Sequence, residues 1–186
     1  MSENQKKKRA KAGHPEVHGE TIAKFEFFDN GYNPYSRYLD EDKVDLILRK
    51  VEGDIIKYID VQVKYGRLFE CGKKWEQKNF DLTSWRFFLE DEFSKLTNPN
   101  LLIAYVLVNP TLGYQGDIFI FKATEFHRLI NSGIKTSTKK GIQYKMHIAH
   151  CKKDLKWYVW KKQGFEDLNS DTVIEVTNYR RNFKIY

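Results

Sequence analysis

Asp45, Gln62 and Lys64 lie on two apolar segments that meet at Glu52-Gly53-Asp54, and this spacing is the first suggestion of chemistry in the chain. Residues 44–48 and 55–65 read as strands, and Gly53 between them reads as the turn of a hairpin. A turn centred on Gly53 sets Asp45 opposite Gln62. Side chains alternate along a strand, so Asp60, Gln62 and Lys64 share one face while Ile59, Val61 and Val63 share the apolar one. A carboxylate, an amide oxygen and an ammonium group thus converge at one end of the hairpin. A hard divalent cation such as Mg2+ or Mn2+ takes oxygen ligands, which Asp45, the Gln62 side-chain carbonyl and the Val63 backbone carbonyl can supply. A neighbouring lysine can position or deprotonate a water and offset the charge that builds on a phosphorus centre. The reaction that suits this set is phosphodiester hydrolysis. A plainer reading also stands, in which Asp45 and Lys64 form a strand-edge ion pair. Asp60, deeper in the strand, reads as a salt-bridge or solvent-facing residue.

The elements that must hold this hairpin follow from periodicity. Residues 1–13 are polar, basic and without period, and read as a disordered tail ahead of a single domain over 14–186. Val17, Thr21, Ile22, Phe25 and Phe28 follow helical spacing from Pro15 to a stop at Asn30-Gly31, on a helix that carries Glu16 and Glu20. Residues 35–39 read as a short extended piece. Asp81 to Ser84 resembles a cap before a helix bearing Trp85, Phe88, Leu89, Phe93 and Leu96, ended by Asn98-Pro99. Strands follow over 101–108 and 118–121, then a helix over 124–131. Residues 144–150 and 155–160 form a hairpin about Lys152-Lys153-Asp154, and 172–186 supplies an edge strand. The expected fold class is α/β (α+β), a central mixed β-sheet flanked by helices.

In this order of elements, Glu20, Gly31-Tyr32, Asp45 and Gln62-Val63-Lys64 resemble the active-site signature of the PD-(D/E)xK nuclease superfamily, the restriction endonuclease-like fold. The likeness is to the branch with a Q-x-K third motif found in Mrr-type restriction endonucleases, with a layout similar to archaeal Holliday-junction resolvases. It spans roughly residues 16–67. In that superfamily a glutamate on the first helix precedes a Gly-aromatic turn, an aspartate follows on a strand, and an (E/D/Q)-x-K lies on the next. The resemblance implies a Mg2+- or Mn2+-dependent endonuclease, with Asp45 and Gln62 as metal ligands, Lys64 catalytic, and Glu20 completing the site through the metal or its waters. Glu16, one helical turn earlier on the same face, is the alternative to Glu20. Two positions depart from the common form: Val44 replaces the proline of the first half-motif, and Gln62 replaces a carboxylate. A catalytically inactive descendant, acting as a nucleic-acid-binding or assembly module, is the second function that the same residues allow.

Charge points to the partner. The net charge is +7, and residues 135–162 hold nine lysines against Asp154 alone. Lys139, Lys140, Lys145, Lys152, Lys153 and Lys156 are the candidate phosphate contacts, with DNA as the expected partner and RNA as the other polyanion of the same chemistry. Tyr144, Trp157, Tyr158 and Trp160 interleave with them, either to stack bases or as the inner face of a lysine-defended edge hairpin. Because one centre cuts one strand, cleavage of both strands calls for a homodimer.

Several classes lose support. His147 and His150 fall on opposite faces of a strand, and with Cys151 they complete no four-ligand zinc set. There is no GxxxxGK[ST], GxGxxG or GxSxG string. The longest apolar run, 101–108, is eight residues, short of a bilayer span. The N-terminal MSENQKKKRAKAG has no apolar segment behind its charges, and Cys71 and Cys151 are too few for a disulfide scaffold. A cytoplasmic protein is the expectation.

Overall fold

Most of the chain between Asn33 and Glu175 alternates with the period of a strand, and in the computed structural model these strands build two stacked sheets; residues 3–36, 44–89, 100–138 and 141–184 are described. The elements of the first half are α1 (Glu3–Asp29), β1 (Asn33–Ser36), β2 (Leu46–Glu52), β3 (Ile55–Arg67), β4 (Phe69–Glu70), α2 (Lys74–Asn79) and β5 (Phe80–Leu89). The second half holds β6 (Leu101–Asn109), β7 (Gly113–Lys122), α3 (Ala123–Asn131), β8 (Ile134–Thr138), β9 (Gly141–Cys151), β10 (Trp157–Trp160) and β11 (Val173–Glu175). Among the described residues no helix is long and apolar enough to cross a membrane.

The first sheet has the order β1-β2-β3-β6-β7 and is mixed, since β3 and β6 run parallel while the other pairs are antiparallel. The second is antiparallel, in the order β11-β10-β9-β5-β4 with β8 also on β9. The class is therefore α+β, as expected. Where a central mixed sheet flanked by helices was expected, however, α1 covers one face of the mixed sheet and the second sheet covers much of the other. The reason lies in β6, buried at every position from Leu101 to Val108. Leu102, Ala104, Val106 and Val108 pack with Ala23 and Phe27 of α1, while Leu101, Ile103, Tyr105 and Leu107 pack with Phe88, Met146 and Ile148 of the second sheet and Phe126 of α3.

Four expectations differ from the structure. The helix predicted after Ser84 is strand β5. The spacing of Trp85, Phe88 and Leu89 suits a helix, but Ser84 and Phe88 alternate with Trp85 and Phe87 as well, and pairing with β9 from Phe80 to Leu89 decides the outcome. Phe93 and Leu96 lie outside the described residues. On α1 the buried stripe is Gly19, Ala23, Glu26 and Phe27, whereas Val17, Phe25 and Phe28 are exposed. Small residues win the inner face because the helix sits close to β3: a Cβ on Gly19 would lie 3.1 Å from Tyr65 Cβ. The hairpin of β9 and β10 is present, but its second strand starts at Trp157, with Leu155 in the turn at φ 60°. Residues 3–13, expected as a tail, fall within the bounds of α1.

Candidate active site

The register of the β2–β3 hairpin sets the geometry of the site. Leu46 pairs with Val61 and Ile47 with Asp60, which places Asp45, one residue before β2, level with Gln62. Gly53 makes the turn with φ +61°, a conformation that a side chain resists. β3 continues to Arg67, well past the start of β2, and there side chains take over the ladder. Asp45 N–H donates to the Val61 carbonyl at 2.9 Å, and its Oδ2 accepts the Val63 N–H at 2.6 Å. The N–H and C=O of one strand residue leave on the same side, so the Val63 carbonyl also faces this end of the hairpin. The Tyr65 carbonyl accepts from Arg86 Nη1 of β5 at 2.8 Å.

These residues line a cleft of about 160 Å³ where α1, β3 and β5 meet, formed by Glu16, Glu20, Asp45, Gln62, Val63, Lys64, Tyr65 and Arg86. All five residues expected at the metal and catalytic site are in it, and Glu16, the alternative to Glu20, lies there too. α1 is held in place to present its glutamates. Gly31 at φ +84° ends the helix, and Tyr32 folds back on Phe27 and donates its hydroxyl to the Phe183 carbonyl at 2.7 Å. Gln62 is 6% exposed, and it lines the cleft beside Asp45 and Lys64.

The face carrying Gln62 and Lys64 was expected to be the polar side of the hairpin, but it is covered by the second sheet. Next to Lys64 on the sheet is Tyr105, fully buried with Ser84. Gly66 continues this face, and a Cβ there would lie 2.8 Å from Tyr105 OH, Ser84 Oγ and Leu107 Cδ2 alike. Arg86 was missed from sequence because its segment was read as helical; its signal is the alternation of Ser84, Arg86 and Phe88 against Trp85 and Phe87.

Oxygen donors suited to a hard cation are available at the cleft: the Asp45 carboxylate, the Gln62 amide, the Val63 carbonyl and the α1 glutamates. The fit is of a particular kind. Among the described residues no three of His, Cys, Asp and Glu are grouped as a metal ion would need, so a cation here would have to draw on the neutral donors Gln62 and Val63 as well. His147 and His150 do lie on opposite faces of β9, one stacked on Trp160 and the other on Asp81 Oδ1 at 2.8 Å.

The lysines expected to bind nucleic acid lie elsewhere, on and around the second sheet. Lys152 and Lys153 donate to the Gln77 carbonyl and Asn79 Oδ1 of α2 at 2.7 and 3.0 Å, and Lys156 pairs with Glu175 at 2.9 Å. Lys145 lies over the rings of Trp85 and Phe87, while Lys139 and Lys140 fall outside the described residues. The aromatic residues expected to stack bases, Tyr144, Trp157, Tyr158 and Trp160, are buried in the cores on either side of the second sheet. No family model, no curated protein and no solved structure matches the chain.

Proposed function

We propose that this protein is a divalent-metal-dependent nuclease that hydrolyses DNA phosphodiester bonds at the cleft between α1, β3 and β5. The observation that carries the reading is the convergence of Glu20, Asp45, Gln62, Val63 and Lys64 on one cleft from three separate stretches of sequence. Their order and placement also fit the restriction endonuclease-like layout: a glutamate on the first helix, a Gly-aromatic turn at its end, an aspartate at the head of one strand and Q-x-K on the next.

Asp45, the Gln62 amide oxygen, the Val63 carbonyl and Glu20 would hold Mg2+ or Mn2+, which when bound supplies Lewis acidity at the scissile phosphate. Asp45 is fixed for this task by the Val63 N–H on its Oδ2. Lys64 leaves β3 on the same face as Gln62, so its ammonium group can orient the attacking water or balance negative charge on the phosphate oxygens. Arg86 adds a second cation, pinned by the Tyr65 carbonyl so that it reaches the cleft already ordered. Two copies would be needed to cut both strands of a duplex.

A specific observation favours the second reading, a catalytically silent nucleic-acid-binding module: the amide at Gln62 and the lack of a three-carboxylate group among the described residues weaken the hold on a cation. Titration of the protein with Mn2+ in a calorimeter, for wild type and Asp45→Asn, separates the two. The nuclease reading expects saturable binding that Asp45→Asn weakens by about tenfold or more. Absence of binding to the wild type favours the silent module.

A further inference from the structure

β5 presents opposite chemistry on its two faces. Arg86 points inward to the cleft, while its neighbours Trp85 and Phe87 point out from the second sheet, 50% and 43% exposed. The two rings meet edge to face with centroids 5.5 Å apart. Lys145, across from Phe87 on β9, sets its ammonium 5.3 Å from each ring. His147, across from Trp85, is buried beside them in a flat stack on Trp160 with centroids 4.3 Å apart. Lys73, whose side chain is 60% exposed, lies close enough to act electrostatically on both Lys145 and His147. The carboxylate that faces this group, Glu76, is buried and already engaged by the Lys73 backbone N–H and ammonium, at 3.4 and 3.9 Å. The patch is thus a firm aromatic platform with positive charge at its edge.

We infer that Trp85 and Phe87, with Lys145 and Lys73, form a stacking platform for unpaired bases of the strand whose phosphate enters the cleft, so that the substrate carries a single-stranded segment beside the scissile bond. The inference rests on the nuclease reading and names its substrate class. Every base has a flat face that an exposed ring can stack on, but in a duplex those faces are covered by neighbouring bases. Lysines beside the rings meet the phosphates between stacked bases, and their contribution is independent of sequence. Continuity with the cleft comes from β5 itself. Beyond Thr83, where pairing with β4 stops, the strand has only β9 beside it among the described residues, so nucleic acid passing from Arg86 to Trp85 crosses a single strand edge.

The test is anisotropy of a labelled oligo-dT, and of a duplex of equal length, on the full chain in EDTA. Wild type should bind the single strand more tightly than the duplex. Trp85→Ala should weaken single-strand binding about fivefold or more and leave duplex binding within about twofold. Trp85→Tyr, which keeps a ring, should retain the single-strand affinity. Quenching of tryptophan fluorescence by oligo-dT should vanish in Trp85→Ala. Single-strand affinity unchanged in Trp85→Ala, or an equal loss for single strand and duplex, would overturn the platform. Since no metal is present and no cleavage is read in this assay, a negative result counts against the platform without touching the nuclease reading, which stands or falls on cleavage.

Discussion

Gln62 concentrates the chemical question at the scale of single residues, because a neutral amide stands at the point where a carboxylate would anchor a cation most strongly. Gln62→Glu should therefore tighten Mn2+ binding by roughly tenfold or more, read by calorimetry. The added charge, two residues from Lys64 on the same face, should also raise the lysine's pKa. If Lys64 takes a proton from water, the pH optimum of cleavage moves upward in this variant; if it only steadies charge, the optimum stays. Unchanged Mn2+ affinity would show that the amide does not face the ion. His147 gives a second residue-scale prediction. Burial, helped by Lys145 and Lys73, pushes its pKa down to about 3 from an ordinary 6.5, so the folded protein holds it neutral. The stability that goes with the neutral form is complete above the unfolded pKa and is lost as pH falls from there toward the folded value. Unfolding in urea at about pH 4.5 should cost about 2–3 kcal/mol less than at about pH 7 on this account, and His147→Phe should remove that part of the difference. An equal pH dependence in the variant would mean that other groups govern acid sensitivity.

Two glycines set the approach of whole elements. Gly19 lets α1 lie against Tyr65, bringing Glu16 and Glu20 to the cleft, and Gly66 leaves space for Tyr105 and Ser84 where β3 faces the second sheet. Gly66→Ala should lower stability by about 1–3 kcal/mol in urea titration, since its three close neighbours include two buried hydroxyl oxygens. A change within about 0.5 kcal/mol would show that β3 and β5 separate easily there. The hairpin was legible from sequence down to its register because Gly53 fixes the turn and alternation fixes the faces. β5 was not, since an aromatic run with Trp85, Phe88 and Leu89 satisfies both periods and only pairing with a strand some sixty residues later chooses between them. The face of α1 was misjudged for a related reason: burial there follows closeness of approach, which favours Gly19 and Ala23 over Phe25 and Phe28.

Over the whole molecule, distant parts of the chain are tied through Glu26. This buried carboxylate accepts from Arg181 Nη1 and Tyr114 OH, each at 2.6 Å, and so joins α1 to β7 and to the C-terminal segment. Glu26→Ala leaves the half-buried Tyr114 hydroxyl without its partner while the exposed Arg181 turns to water, and should cost about 2 kcal/mol in urea unfolding. A loss under about 1 kcal/mol would mean that apolar packing of Phe27 and Ala23 alone holds the helix. Such pairs, like the second sheet itself, could not be read ahead, because they depend on which faces meet in three dimensions; the nearness of Glu20, Asp45, Gln62 and Lys64 could, because they sit on one hairpin and the helix before it. The most direct test of the central claim is nicking of supercoiled plasmid and of circular single-stranded DNA by wild type and Lys64→Ala, each with Mn2+ and with EDTA. Wild type should nick with Mn2+ and not with EDTA, and Lys64→Ala, folded as judged by circular dichroism, should be slower by about a hundredfold or more. Metal-dependent nicking at equal rates by the two proteins, or none by the wild type, would contradict the assignment of this cleft as a nuclease centre.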